Sequence, residues 1–131
     1  MNNSGDDQYK TKLSDEQYRV LRQKATETPG SGTLLHNTQT GEYRCAACNN
    51  LVFKSDTKFD SRSGWPSFYS PANKNSVVIK EDKELGISRD EVICSQCGSH
   101  LGHVFRDVPD QPSGMRYCIN SVALSFSKTD K

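Results

Sequence analysis

The sequence is short of hydrophobic residues: only 33% of its 131 positions are apolar by a count that includes tyrosine. Leu, Ile, Val and Phe together make 25 of the 131, about 19%, which borders on the composition of disordered chains, but those also carry a large net charge. Here 17 basic residues face 16 acidic ones. A chain this thin in core-formers yet neutral reads as one folded domain that needs a staple besides its core. No apolar run approaches the roughly 18 residues of a membrane helix. The start, Met1 to Asp7, lacks the basic-then-apolar layout of a secretory signal, and Asp6 and Asp7 disfavour a transit segment. These absences predict a cytoplasmic protein with no membrane partner. A net charge of +1 gives no electrostatic footprint for phosphate backbones, which argues against nucleic acid.

Residues 1–12 are polar and without period, and read as a flexible tail ahead of a single domain over 13–131. Ser14 as N-cap, Gln17 reaching back to it and Leu13 packing on Tyr18 predict a helix start. Tyr18, Leu21 and Ala25 then share a face, and Thr28-Pro29-Gly30 predicts the end. From Tyr43 onward short β-type runs alternate with turn residues: Leu51 to Lys54, Ser67 to Tyr69, Val77 to Lys80, Glu91 to Cys94, His103 to Phe105 and Arg116 to Phe126. The expected class is mainly antiparallel β. The alternating charges from Lys80 to Glu84 predict a solvated hairpin or loop.

The five cysteines divide four and one. Cys45-Ala-Ala-Cys48 and Cys94-Ser-Gln-Cys97 are matched pairs, each able to present two thiolates from one tight turn. Two such turns complete a tetrahedral sulfur site, which suits zinc or iron, zinc being the commoner occupant. Two disulfides are the alternative, disfavoured without a secretory signal; one thioredoxin-type motif would not explain two pairs. Such a zinc would be structural, since four protein ligands leave no open position.

Cys118 is left over. In a strand, Arg116, Cys118 and Asn120 point the same way, setting a cation and an amide beside the sulfur. That is a setting for a nucleophile; the competing reading is a small buried apolar residue. His100 and His103 follow the second cysteine pair directly, so a rigid metal turn would deliver an imidazole to Cys118 as acid or base. Their alternatives are a core histidine or a metal ligand. His36 lies in a polar stretch and reads as surface. Trp65, between Gly64 and Pro66, is either a core ring beside a rigid turn or an aromatic wall for a small apolar group.

Taken together, the segment from Leu13 to Lys24, the two cysteine pairs, Lys58-Phe-Asp-Ser61, Gly64-Trp-Pro-Ser-Phe68, His100-Leu-Gly-His-Val-Phe105 and Arg116-Tyr-Cys-Ile-Asn-Ser121 closely resemble the methionine-R-sulfoxide reductases, the B-type family, in order from about residue 12 to 128. The resemblance implies two antiparallel β-sheets in a tent-like fold with small N-terminal helices and a structural zinc held by four cysteines, Cys45, Cys48, Cys94 and Cys97. It implies Cys118 as the catalytic thiol that takes the sulfoxide oxygen, leaving a sulfenic acid. His103 and His100 match residues that protonate or orient that oxygen. Arg116 matches one that favours the thiolate, and Asn120 an active-site amide. Trp65, with Phe105 a further candidate, matches the ring that packs on the substrate's ε-methyl. The implied partners are oxidised proteins or peptides and a thioredoxin, glutaredoxin or small-thiol reductant, with the enzyme a monomer.

The sequence departs from the family pattern in places. Many members carry a recycling cysteine two residues before the tryptophan, where this chain has Ser63, so the sulfenic acid is expected to be reduced directly. Asn49 replaces a usual glycine, and asparagine tolerates left-handed backbone. Val108 replaces another in the Asp-Gly-Pro turn, and predicts a changed course for the 107–114 loop. The rival readings are a zinc-ribbon-like binding module and a thiol sensor. Against the ribbon stands the 45-residue gap between cysteine pairs, where ribbons have roughly 15–20. Against the sensor stands the pairing of an imidazole with a methyl-recognition wall.

Overall fold

The computed structural model describes residues 13–28, 30, 32–82 and 89–129; the expected tail, and the end of the charged run after Asp82, lie outside the described residues. Helix α1 (Asp15–Gln23) begins as the sequence predicts. Gln17 N–H donates to the Ser14 hydroxyl at 3.1 Å, and Ser14 N–H to the Gln17 side chain at 2.9 Å. It ends earlier than expected: Lys24 adopts φ +65° and its N–H returns to the Arg19 carbonyl, so a left-handed cap stops the helix five residues before Pro29 could. Ala25 therefore lies beyond α1, and Val20 with Leu21 forms its buried side. It is the one α-helix among the described residues.

Among the described residues nine strands follow: β1 (Gly41–Cys45), β2 (Leu51–Lys54), β3 (Lys58–Phe59), β4 (Ser67–Phe68), β5 (Val77–Asp82), β6 (Arg89–Cys94), β7 (His100–Phe105), β8 (Arg116–Ile119) and β9 (Leu124–Lys128). The strands depart from the sequence reading at several points. The run from Arg116 to Phe126 breaks at Ser121–Ala123, a single 3-10 turn, which lets β8 and β9 serve different sheets. The charged run enters β5 as far as Asp82, because a strand at the edge of a sheet tolerates an all-polar stretch. β7 begins three residues earlier than expected, at His100.

The strands form two antiparallel sheets, one ordered β2-β1-β9 and one β3-β4-β8-β7-β6-β5. The aromatic face of the small sheet closes on the large one. Phe53 stacks on Phe68 at 4.4 Å between centroids, Tyr43 meets Phe68 edge-on at 5.1 Å, and Phe53 lies 5.8 Å from Tyr117. Tyr43, Phe53 and Phe68 are fully buried. Rings of this size remove more apolar area per residue than aliphatics do, which offsets the scarcity of Leu, Ile and Val. α1 packs across β7, and the Arg22 guanidinium donates to the Cys97 carbonyl at 2.9 Å and the Ser99 hydroxyl at 3.0 Å.

Candidate active site and metal centre

Register alone places one row of side chains across the large sheet. Lys80 pairs with Glu91, Glu91 with His103, His103 with Cys118, Cys118 with Ser67, and Ser67 with Phe59. Directly opposed residues in antiparallel strands share a face, so the imidazole and the thiol are lateral neighbours with a carboxylate beyond. His100 would ordinarily point to the opposite face, being three residues from His103. A bulge at Leu101 prevents this: Val92 pairs with Gly102 but Ile93 with His100. Both imidazoles therefore share one face, with ring centroids 5.3 Å apart.

The two histidines differ in surroundings. His103 lines a cleft of about 70 Å³ together with Thr26, Trp65, Gly102, Phe105, Cys118 and Asn120. His100 lies behind it, 3% exposed, with Nδ1 on the Glu91 carboxylate at 2.7 Å. Burial holds its pKa below the ordinary imidazole value, against the pull of Glu91. Glu91 is itself buried and also meets Lys24 Nζ at 3.3 Å.

Arg116 Nη1 donates to Cys118 Sγ at 2.7 Å. Its other arms are forked on Asp107, Nε to Oδ1 at 2.9 Å and Nη2 to Oδ2 at 2.7 Å. The pair holds Asp107 below the usual carboxylate range and raises Arg116. The guanidinium also lies 4.5 Å from the Phe105 ring centroid, so a permanent cation is braced from two sides against the sulfur. On the other flank stand hydroxyls: Ser63 Oγ at 3.5 Å and Ser67 Oγ at 3.7 Å from Sγ, joined through Ser61 at 2.8 Å and 2.6 Å.

Glu27, which no sequence pattern singled out, ties this cleft together. Its N–H donates to Asn120 Oδ1 at 3.0 Å, its carbonyl accepts the Trp65 indole N–H at 3.1 Å, and its Oε1 accepts the Val122 N–H at 3.0 Å. Oε2 is buried without a hydrogen-bond partner, and burial raises the carboxyl's pKa. Asn120 is fixed further by its amide on the Leu101 carbonyl at 3.0 Å. Of the residues predicted for catalysis and substrate contact, Cys118, His103, Asn120, Trp65 and Phe105 line one cleft. Arg116 joins it through the Cys118 sulfur, and His100 abuts His103 from behind. His36 lies apart, in a separate recess. Ser67, Glu91 and Asp107 also went unread, because register and a long loop bring them in.

The four paired cysteines form a separate cluster. The turns are built alike: Asn49 N–H returns to the Cys45 carbonyl at 2.7 Å and Gly98 N–H to the Cys94 carbonyl at 2.9 Å. Cys45 N–H reaches the Asn50 carbonyl at 2.8 Å, as Cys94 N–H reaches that of Ser99 at 2.9 Å. Asn49 sits at φ +70° where the second turn has Gly98 at +76°, so asparagine carries the left-handed backbone as expected. Val108 is not among the described residues with positive φ; Gly114, at +72°, supplies that conformation in its loop. The four sulfurs lie within 4.8 Å of one another, two pairs being 3.7 and 3.5 Å apart. A tetrahedron with metal–sulfur bonds of about 2.3 Å has edges of about 3.8 Å, so the donor set fits one metal ion. Burial pushes the Cys48 thiol up to about 12, a cost that a bound cation offsets.

The cleft sets a thiol beside a braced cation, an imidazole and two aromatic rings, and the similar proteins place the chain among the oxidoreductases. Residues 13–128 match the SelR domain. A peptide methionine sulfoxide reductase MsrB of Methanosarcina mazei is 54% identical over 125 residues, covering 95% of this chain and 89% of that protein. One from Leptospira interrogans is 52% identical over 126 residues, covering 96% and 95%. Among solved structures, the Yippee-like domain of Mis18 matches with a TM-score of 0.56 at 17% identity, over 71% of this chain and 100% of that one; this is a likeness of fold. The chain belongs to the SelR-domain family of methionine-R-sulfoxide reductases, the MsrB type.

Proposed function

We propose that Cys118 takes the oxygen of methionine-R-sulfoxide and that an external thiol reduces the resulting sulfenic acid directly. The Cys118 thiolate attacks the sulfoxide sulfur, the S–O bond breaks, and the oxygen passes to Cys118 with one proton while the thioether departs. One thiol then forms a mixed disulfide with Cys118 and releases water, and a second thiol frees the enzyme. His103 is the proton donor to the sulfoxide oxygen, with His100 orienting it from behind. Arg116 supplies positive charge at the sulfur, Asn120 orients the substrate, and Trp65 with Phe105 receives the ε-methyl. Methyl, oxygen and chain held at three places select one epimer.

The observation that carries direct recycling is Ser63: its hydroxyl stands 3.5 Å from the Cys118 sulfur, at the position where many members of the family carry a recycling thiol. The other four cysteines form the metal cluster. Cys45, Cys48, Cys94 and Cys97 would hold zinc, which supplies folding free energy and takes no part in the reaction. We further read the chain as one domain over 13–131, a monomer in the reducing cytoplasm, served by thioredoxin, glutaredoxin or a small thiol. The test is turnover of racemic dabsyl-methionine sulfoxide with dithiothreitol: wild type stops after consuming the R epimer, and Cys118→Ser loses at least roughly a thousandfold in rate. Conversion of both epimers, or an active Cys118→Ser protein, overturns the reading.

A further inference from the structure

The two groups that grip the substrate in the proposed reaction are the Trp65 ring and the Asn120 amide. The main chain beside them is already joined, the Ile119 N–H donating to the Pro66 carbonyl at 2.9 Å, but that bond leaves both side chains free to turn. One residue outside both strands orients them. Past the left-handed cap at Lys24 the chain places Thr26 in the cleft lining and Glu27 next to it in the core. There the Glu27 N–H holds Asn120 Oδ1 and the Glu27 carbonyl takes the indole N–H. Asn120 has a second anchor on the Leu101 carbonyl. The indole has a single donor, and Glu27 receives it.

Such main-chain grips hold only if that main chain is itself held, and the Glu27 side chain does this. Oε1 accepts the Val122 N–H at 3.0 Å, tying the segment after α1 to the 3-10 turn that follows Asn120. The 30–34 stretch closes over the carboxyl. A Cβ on Gly32 would lie 2.6 Å from Oε2 and 2.3 Å from the Ser121 Cβ. The Leu34 N–H donates to the Ser121 hydroxyl at 2.8 Å, and the Gly30 N–H to the Gly64 carbonyl beside Trp65 at 2.7 Å. For stability alone a carboxyl here is a poor choice: it is 4% exposed, and Oε2 has no hydrogen-bond partner among the described residues. An apolar side chain avoids that cost. What it does not supply is the acceptor for Val122.

We propose that Glu27 is a positioning residue for substrate recognition: its side chain anchors its own main chain to the turn after Asn120, and that main chain sets the Trp65 ring and the Asn120 amide at the angle that receives the ε-methyl and the sulfoxide. The inference rests on the sulfoxide-reductase reading and adds to it the residue that aligns the two grips. The Arg116 guanidinium at the sulfur is fixed by Asp107 and Phe105 instead. Recognition through Glu27 is therefore separable from the reactivity of the thiol.

The test compares Glu27→Leu, which fills the space without an acceptor, with Glu27→Gln, which keeps one. On N-acetylmethionine-R-sulfoxide, Glu27→Leu is expected to lose about tenfold or more in kcat/KM, while alkylation of Cys118 by iodoacetamide stays within about twofold of wild type. Glu27→Gln keeps both. Trp65 is the chain's one tryptophan, so its indole N–H gives a single proton–nitrogen NMR signal, expected to shift and to exchange faster with solvent in Glu27→Leu but not in Glu27→Gln. In a Trp65→Phe background, with no indole N–H to hold, Glu27→Leu costs less than it does in wild type. If Glu27→Leu does not fold, Glu27→Asp, one methylene short of the Val122 N–H, is read by the same measurements. Undiminished kcat/KM in the folded variant, an alkylation rate that falls in step with it, or a Glu27→Gln protein as impaired as Glu27→Leu overturns the proposal and leaves the chemistry at Cys118 intact. Failure of wild type on N-acetylmethionine-R-sulfoxide overturns the underlying reading instead.

Discussion

Asp107 touches neither sulfur nor cleft, yet its two oxygens fix the guanidinium whose third arm rests on Cys118. Asp107 is largely exposed, so its ion pair with Arg116 contributes little to stability. Its value is positional: it removes the rotamer freedom that would let Arg116 leave the sulfur for solvent. Arg116→Met should slow alkylation of Cys118 by iodoacetamide at neutral pH about tenfold or more, and Asp107→Asn should produce part of that loss with unchanged thermal stability. An Asp107→Asn protein alkylated as fast as wild type would mean that Phe105 alone suffices to hold the cation. Strand alternation made Arg116, Cys118 and Asn120 legible in the sequence, since three residues at spacing two need no tertiary information to share a face. Asp107 and Glu27 were not legible: one arrives from a loop, and the other acts largely through its main chain, which carries no side-chain signature.

The bulge in β7 and the close approach of β7 to β8 set the site's dimensions. A Cβ on Gly102 would stand 2.0 Å from the Cys118 carbonyl oxygen and 2.9 Å from the Ile119 Cα. Both obstacles are backbone and neither can rotate away, so Gly102→Ala must part the two strands that carry His103 and Cys118. The expected result is a loss of about 1–3 kcal/mol of stability and a fall in kcat larger than that seen for an alanine at Gly114, where a Cβ meets nothing within 4 Å and the strain is confined to a backbone at φ +72°. Denaturant melts and turnover of the two variants provide the check. The segment after α1 carries a pH signature. Burial holds Glu27 above the ordinary carboxylate pKa, so the folded state retains the proton more tightly than the unfolded chain does. This contributes stability that is complete below the unfolded value and is lost as pH rises through the folded one. Relative to Glu27→Gln, wild type should therefore melt at a higher temperature near about pH 4 than near about pH 7; calorimetry showing a gap independent of pH would contradict it.

For the whole molecule, the metal cluster does what the sparse composition demands. One cysteine turn joins β1 to β2 in the small sheet and the other joins β6 to β7 in the large sheet, so one ion bound by the four sulfurs would clamp both sheets at a single end. Structural zinc binding contributes about 10–16 kcal/mol, comparable with the roughly 5–15 kcal/mol by which domains are stable at all. Stripping the metal with a strong chelator should unfold the chain cooperatively, seen as loss of near-ultraviolet circular dichroism together with activity, and restored zinc should recover both. A chelated protein that keeps its melting temperature would remove the clamp from the account. Antiparallel β structure was foreshadowed by the short β-type runs and the clamp by the duplicated Cys-x-x-Cys pairs, while the division into two sheets came only with the family resemblance. The hidden part was long-range: the 3-10 turn that splits β8 from β9, the two-residue strand β3, and the bulge that turns His100 toward His103 all depend on partners distant in sequence.

The central claim is that one unligated sulfur accepts the oxygen and passes it to an outside reductant. A single turnover with methionine-R-sulfoxide and no reductant, followed by dimedone trapping and peptide mass spectrometry, addresses it directly. The account predicts one methionine released per chain and the dimedone adduct on Cys118, with no intramolecular disulfide. A disulfide from Cys118 to another cysteine of the chain, or methionine formed while Cys118 stays unmodified, would contradict it.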